Sequence, residues 1–411
     1  MAIDDTPETK ASGGVNPRPR PLTGLRILDL TNVLAGPYCC YQLAMMGAEV
    51  IKVERPSSGD LARQLGADPD RNRNGMGISF LAQNAGKRSV TLDMKHPEGK
   101  ALLKRLVKTA DVVVENFRPG VMDRLGLGYD VLREVNPTLI YCAISGFGQG
   151  GPWKDNPAYD QIVQGISGLM SITGDDDSAP LRVGYPLADT MGGMTAAFAI
   201  AAELNKSPRG GMIDVSMTES VICSMGWVVS NYLTGGVVPA ANGNENMTSA
   251  PSGTFATADQ PINIAANRDT QWRSLARHLG REDLLDNPDY LTREDRKAHR
   301  HALRAELETV LTTRPAADWA RELNALGVPT GEVMTVPQVL ATEQIEGRRL
   351  VGTLENDGAP LQVLGSPVIV DGVRPAPDLA PPRLGADNVA VWGELGLSAA
   401  EVADLESEGV I

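Results

Sequence analysis

The N-terminal part of the chain switches repeatedly between short apolar runs and longer stretches whose apolar positions recur three and four residues apart. Residues 24–30 (GLRILDL) read as a strand, residues 36–46 (GPYCCYQLAMM) as a helix entered through a Gly-Pro turn, and residues 48–54 (AEVIKVE) as a second strand. A strand–helix–strand unit of this kind crosses over right-handed, which makes its strands parallel. Further strands are expected at 89–93, 111–115 and 139–144, with a helix running from Pro97, placed at its first position, to Lys108. This alternation predicts an α/β fold with a Rossmann-like, doubly wound parallel sheet.

Beyond about residue 205 the rhythm changes. A turn at Pro208-Arg209-Gly210-Gly211 leads into an apolar helix over 216–234. Residues 237–260 show little periodicity and are rich in Asn, Gly, Ser and Pro, whereas 270–326 hold charged amphipathic helices. Short strands and prolines return over 346–380. The simplest division is an N-terminal extension (1–21), a large α/β domain (22–210), a smaller helix-rich second domain (230–335) and a C-terminal segment (340–411) that returns to the large domain.

Composition narrows the classes of function. A chain of 411 residues with 42% apolar positions can bury a sizeable core. Its net charge of −13 repels a nucleic-acid backbone, so no nucleic-acid partner is expected, and a polyanionic ligand would need a local basic patch. The four cysteines (Cys39, Cys40, Cys142, Cys223) form no CxxC pair. The start, MAIDDTPETKASGGVNPRPRP, has no apolar segment of the secretory kind, and no apolar run reaches the ~18 residues of a membrane span. These features predict a cytoplasmic protein with no membrane partner.

Candidate chemistry begins at the first turn. Glu54 ends the second strand where an acid could reach a ribose, yet the turn reads Asn32-Val33-Leu34-Ala35-Gly36-Pro37, with one glycine where a dinucleotide fingerprint needs three. Basic residues recur just after strands: Lys52, Arg55, Lys87, Arg88, Lys95, Arg118 and Arg124. Cations beyond strand ends suit phosphates, although each alone is equally well a solvated charge. The four histidines make no HExxH pattern and lie near no cysteine, so no metal site is expected, and no GxSxG elbow is present. Asp189, between an apolar approach and Gly192-Gly193, is either a helix cap or a reactive acid; propensity favours the cap.

Six blocks in order carry a resemblance: residues 24–60 (GLRILDLTNVLAGPYCCYQLAMMGAEVIKVERPSSGD), NAGKRSVTLDMKHPEGK, ADVVVENFRPGVMDRLGLGYDVL, NPTLIYCAISGFGQGGP, AYDQIVQGISGLMSITG and PLADTMGGMTAA. They resemble the class III coenzyme A transferases, densely over about 22–235, with GVPTGEV (327–333) and APPRLGADN (380–388) beyond. The resemblance implies transfer of coenzyme A from an acyl-CoA donor to a carboxylic acid acceptor, with CoA as co-substrate and no tightly bound cofactor. It implies CoA contacts at Leu34, Ala35, Arg55, Leu92, Asp93, Met94, Lys95, Asn116, Phe117, Arg118 and Arg124. It also matches Asp189 to the catalytic aspartate, with Tyr159 and Asp160 as an active-site tyrosine and the acid beside it.

Covalent catalysis on Asp189 would run through an aspartyl anhydride and an aspartyl-CoA thioester, with backbone donors near Ser252, Gly253 and Thr254, read as a substrate loop, stabilising the oxyanion. Formyl-CoA-type members carry several glycines there; MTSAPSGTFAT offers Gly253 alone, which points to a larger acid such as a dicarboxylate. Arg182 is a candidate partner for its distal carboxylate. The related racemases place a histidine 30 residues before the aspartate; here that position is Tyr159, a poor base at neutral pH. A racemase-like isomerase and a non-catalytic CoA-binding protein are the alternatives. The family further implies an interlocked homodimer.

Overall fold

A computed structural model of the chain describes residues 20–411, so all but the last two residues of the N-terminal extension expected over 1–21 lie outside the described residues. Contacts divide the described chain into two units. The first comprises residues 20–149, Gly193–Val215 and Leu350–Ile411; the second comprises Gly150–Gly192 and Ser216–Arg349. Residues 150–192, assigned by sequence to the large domain, group with the second unit.

The first unit is built on six strands: β1 (Arg26–Asp29), β2 (Glu49–Glu54), β3 (Lys87–Thr91), β4 (Val112–Glu115), β5 (Ile140–Ser145) and β6 (Gly211–Ser216). Their order is β3-β2-β1-β4-β5-β6, and β1 to β5 pair in parallel, with Leu28 opposite both Ile51 and Val113. This is the expected doubly wound sheet. Chain direction across the sheet reverses on either side of β1, which opens a crevice beyond its carboxyl end where such folds bind ligands. The Pro97–Val107 helix turns Leu102, Leu103, Leu106 and Val107 inward, the three-and-four spacing of an amphipathic helix. Val391, Trp392, Val402 and Leu405 of the C-terminal helices join the same core.

Three of the basic residues read as strand-end cations suited to phosphates are something else. Lys52 and Lys87 point into the sheet's interior and are fully buried. Lys87 Nζ donates to Asp29 Oδ2 (2.8 Å), Asn84 Oδ1 (2.8 Å) and the Pro37 carbonyl (3.0 Å). Lys52 Nζ lies 2.9 Å from Asp60 Oδ2. Burial pushes the Asp29 carboxyl up, but Lys52 and Lys87 more than offset this and hold it at about 2. Arg88 lies near the start of β3, away from the carboxyl ends, and pairs with Glu49 and Glu394. Period-two alternation puts these side chains inside or at the wrong end of the sheet, so none of the three can receive a ligand at the crevice.

In the second unit, β7 (Ser252–Phe255), β8 (Ile262–Ala265) and β9 (Thr330–Glu332) form an antiparallel sheet. The Asp269–His278, Arg300–Leu311 and Ala316–Ala325 helices bury Trp272, Leu275, Leu303, Leu307, Trp319 and Leu323 in the same core. Ser252, Gly253 and Thr254, expected as a substrate loop, are instead strand residues, with Ser252 opposite Ala265 and Gly253 opposite Ile264. The segment before them is held as firmly: the fully buried Arg296 donates from Nε to the Ala250 carbonyl (3.0 Å) and from Nη2 to Asp269 (2.7 Å). Ladder hydrogen bonds occupy backbone groups that a mobile loop would leave available. The apolar helix expected over 216–234 is broken at Met225 into Met217–Ser224 and Gly226–Gly235.

Candidate active site

In the first unit, a cavity of about 400 Å³ lies beyond the carboxyl ends of β1 to β4. Val53, Leu30, Val121 and Leu125 give it apolar walls, and Arg55 and Lys95 stand exposed among its lining residues. Of the residues the resemblance assigned to coenzyme A, Arg55, Leu92, Asp93, Met94, Lys95 and Phe117 come together here. Leu34, Ala35, Asn116, Arg118 and Arg124 are not among its lining residues. Arg118 and Arg124 are exposed on the segment after β4, and Asn116 acts on the turn itself: its amide accepts from Asn32 N–H and donates to the Asn32 carbonyl, each at 2.8 Å.

The wall residues Thr31, Asn32, Ser58, Gly59 and Asp60 were missed by sequence reasoning. Their signal was present in the Ser58-Gly59-Asp60 stretch that follows β2, polar and turn-forming, immediately after the basic Arg55. Ala35 opens the Ala35–Met45 helix, and its carbonyl lies where a Cβ on Gly193 would be 2.4 Å away. Gly193 belongs to the Leu187–Glu203 helix, four residues after Asp189, and only glycine allows that approach.

The second unit holds a pair of carboxylates. The Leu187–Glu203 helix begins five residues before Gly192, so Asp189 sits inside its first turn and is not its cap. The capping group is Asp160: its Oδ1 accepts from Ala188 N–H (2.8 Å) and Asp189 N–H (3.4 Å). Its Oδ2 accepts from Gln164 Nε2 (2.7 Å) and faces Arg182 Nη2 at 3.6 Å. Gln164, absent from the sequence reading, is fully buried and also accepts from Val183 N–H (2.9 Å), tying the helix of Asp160 to the segment that leads to Asp189. Four residues separate Asp160 from Gln164, the spacing that stacks them on one helix face. Tyr159 precedes that helix and is 70% exposed. Burial, reinforced by the neighbouring Asp160 charge, pushes the Asp189 carboxyl up to about 7. An acid perturbed this far, with its neighbour's lone pairs already engaged, has the features of a reactive group.

A doubly wound sheet with a cavity beyond its strand ends, and separately a half-buried aspartate with a strongly perturbed carboxyl, are features of an enzyme. The chain belongs to CoA-transferase family III, whose family model matches residues 22–388. It is 37% identical over 385 residues to the succinate–glutarate CoA-transferase of Agrobacterium fabrum, covering 92% of this chain and 96% of that one. The acetyl-CoA:oxalate CoA-transferase of Acetobacter aceti is likewise 37% identical, over 352 residues and 84% and 90% of the two chains. Among solved structures, a CAIB/BAIF family protein from Brucella suis aligns with a TM-score of 0.81 at 34% identity, covering 92% of this chain and all of that one. The protein is thus a class III CoA-transferase, moving coenzyme A from an acyl-CoA to a carboxylic acid. Among the described residues, no cluster of His, Cys, Asp or Glu is arranged to hold a metal ion, and no helix is long and apolar enough to cross a membrane.

Proposed function

We propose that Asp189 is the nucleophile of this transferase, that the cavity beyond β1 to β4 cradles the acyl-CoA, and that the acceptor is a short dicarboxylate. The observation that carries the reading is the Asp189 carboxyl at about 7, half-buried beside a second carboxylate whose oxygens are already hydrogen-bonded. A raised pKa makes the ionised form a better nucleophile, and ionisation at neutral pH keeps that form populated. The carboxylate attacks the thioester carbonyl, forming the mixed anhydride and releasing CoA thiolate. Thiolate then attacks the aspartyl carbonyl, expelling the donor acid and leaving aspartyl-CoA. The acceptor carboxylate repeats these exchanges in reverse order, regenerating Asp189. Asp160 holds the first turn that carries the nucleophile.

Two features support the acceptor class. Both relatives bear dicarboxylates in their names, glutarate and succinate in one and oxalate in the other. Arg182, near the carboxylate pair and 45% exposed in its side chain, offers a cation to a distal carboxylate. The Gly226–Gly235 helix supports a further element of the reading, an interlocked homodimer: it buries none of its residues within the chain and exposes Trp227 (85%) and Leu233 (75%). An apolar helix left bare in a single chain marks an interaction surface, which this reading gives to a second copy. A sedimenting monomer at micromolar concentration would overturn that element.

A matrix of succinyl-CoA, acetyl-CoA and glutaryl-CoA against mono- and dicarboxylic acids tests the reaction, read as acyl-CoA formed. Dicarboxylates of about four to five carbons are expected to exceed the matching monocarboxylates at least about tenfold, the size of one charge-assisted contact; equal rates for both would exclude the acceptor class. In the same assay Arg55→Glu is expected to weaken CoA binding by about tenfold or more through lost phosphate contact, and an unchanged Kd would remove Arg55 from the cradle.

A further inference from the structure

The turn between β1 and the Ala35–Met45 helix is held in an unusual shape. Val33 has φ +68°, in the left-handed region that a β-branched side chain strongly disfavours. Such a conformation persists only when its surroundings over-determine it. Here the determinants can be traced atom by atom. Val33 N–H donates to Asp60 Oδ1 at 2.9 Å and to its neighbour's Asn32 Oδ1 at 3.0 Å. The same Asp60 oxygen accepts from Ala62 N–H (2.8 Å), which fixes the carboxylate against its own backbone. Asp60 N–H in turn donates to Glu54 Oε1 (3.0 Å), at the end of β2.

The other Asp60 oxygen faces the buried ammonium of Lys52, which also donates to the Thr31 carbonyl at 3.0 Å. One ion pair thus grips the turn from both sides of Asn32: the lysine at Thr31, the aspartate at Val33. Asn32 itself is secured by the two hydrogen bonds it exchanges with Asn116 and by Leu61 N–H donating to its Oδ1 at 2.9 Å. Both charged groups are 3% exposed or less. A buried ion pair costs desolvation that two apolar side chains would avoid, so its retention under a ligand cavity calls for a positional reason. Thr31, Asn32, Asp60 and Leu61 all line that cavity.

We propose that Asp60, seated on Lys52, is a positioning residue for the acyl-CoA cavity: it holds Val33 in the left-handed conformation, so that the Thr31–Asn32 wall is preformed before the ligand arrives. The inference rests on the reading of this cavity as the CoA cradle. The Asp60 carboxylate is engaged by Lys52 and by backbone N–H groups, and it acts through the Val33 N–H. Removing it lets the turn relax to a conformation valine prefers, and each binding event must then restore the shape.

The test separates shape from contact. Asp60→Ala is expected to raise the Kd for CoA and the KM for acyl-CoA about tenfold, the loss of one charge-assisted hydrogen bond, with kcat at saturating acyl-CoA changed less than about threefold. Adding Val33→Gly to Asp60→Ala is expected to recover most of the affinity, because glycine adopts positive φ without support. A purely structural role would not be rescued by a glycine, so a double variant no tighter than Asp60→Ala overturns the proposal. If Asp60→Ala does not fold because Lys52 is left unpaired, Lys52→Met/Asp60→Ala with and without Val33→Gly makes the same comparison, since it removes the acceptor and leaves no buried cation behind. Arg55→Glu reports the cradle independently: if it leaves the CoA Kd unchanged, the reading of the cavity fails; if it weakens binding while Asp60→Ala does not, the clamp alone fails.

Discussion

Asp189→Asn is expected to abolish CoA transfer, by at least about 10³-fold, the scale on which removal of a covalent nucleophile is felt, while CoA binding changes little. The same substitution is expected to stabilise the fold at alkaline pH. The Asp189 carboxyl is pushed from 3.8 to about 7, chiefly by burial and secondarily by Asp160, so the folded state resists its ionisation. The unfolded chain loses this proton near pH 4 and the folded chain near 7. Stability is therefore drained as pH rises through that window and stays low above it. The ceiling is about 4 kcal/mol, from roughly three pKa units at 1.36 kcal/mol each. Asparagine carries no such charge. Urea denaturation of the two proteins should agree near pH 4 and diverge by a few kcal/mol at pH 8 in favour of Asp189→Asn; parallel curves across that range would show that the carboxyl is not perturbed. In the active enzyme kcat/KM should rise about tenfold per pH unit below 7 and level above it.

The second large effect is structural. Lys87→Met is expected to destabilise the protein by about 3–5 kcal/mol at pH 7, because it strips a fully buried carboxylate of its nearest cation. Lys87 Nζ is 2.8 Å from Asp29 Oδ2, while Lys52 stands at 3.8 Å and is committed to Asp60. Asp29 is held at about 2 in the folded state, below its unfolded value. That contribution is complete above about pH 4 and is lost as pH falls toward 2. The deficit of Lys87→Met should accordingly shrink in acid, and Asp29→Asn/Lys87→Met should recover part of it at pH 7. Denaturant midpoints at pH 3 and pH 7 for the three proteins check this. A Lys87→Met protein as stable as its parent at pH 7 would mean that the network contributes nothing net.

Much of the first unit was legible along the chain because its elements are local. Apolar runs at 24–30 and 48–54, with a helix between, contain enough information to fix a parallel pair, and the observed strands differ from the expected ones by one or two residues at their ends. The carboxyl-end rule then pointed to Arg55 and Lys95, whose positions follow directly from where β2 and β3 stop. Lys52 and Lys87 carry the same charge and lie on the same strands, Lys52 three residues before Arg55 and Lys87 at the first residue of β3. Strand alternation turns them inward, where the acids that neutralise them arrive from β1 and from the segment after β2. No local pattern distinguishes a buried lysine from a solvated one.

The carboxylate pair shows the same division. Asp189 stood out in sequence as an acid among apolar residues, and its two readings, cap or reactive group, could not be separated there. The structure divides the roles between two residues 29 positions apart: Asp160 takes the helix N–H groups, which leaves the half-buried Asp189 without a capping role. Its perturbed carboxyl depends on both, since burial and a neighbouring charge are properties of the folded surroundings. Ser252-Gly253-Thr254 failed in the opposite sense. Small polar residues after a proline look like a loop, yet pairing with β8 makes them a strand, because ladder partners nine to thirteen residues away outweigh weak local propensity.

The sequence by itself determined the order of strands and helices, the acidic surface with cations kept at strand ends, and the blocks that mark the family. Only the tertiary structure decided which charges are buried and which reach the cavity, which aspartate caps and which is left reactive, and that Val33 is held in a shape its own side chain opposes. The reason is physical: backbone periodicity is set by neighbours in the chain, whereas desolvation, ion pairing and strain are set by groups that only folding brings together.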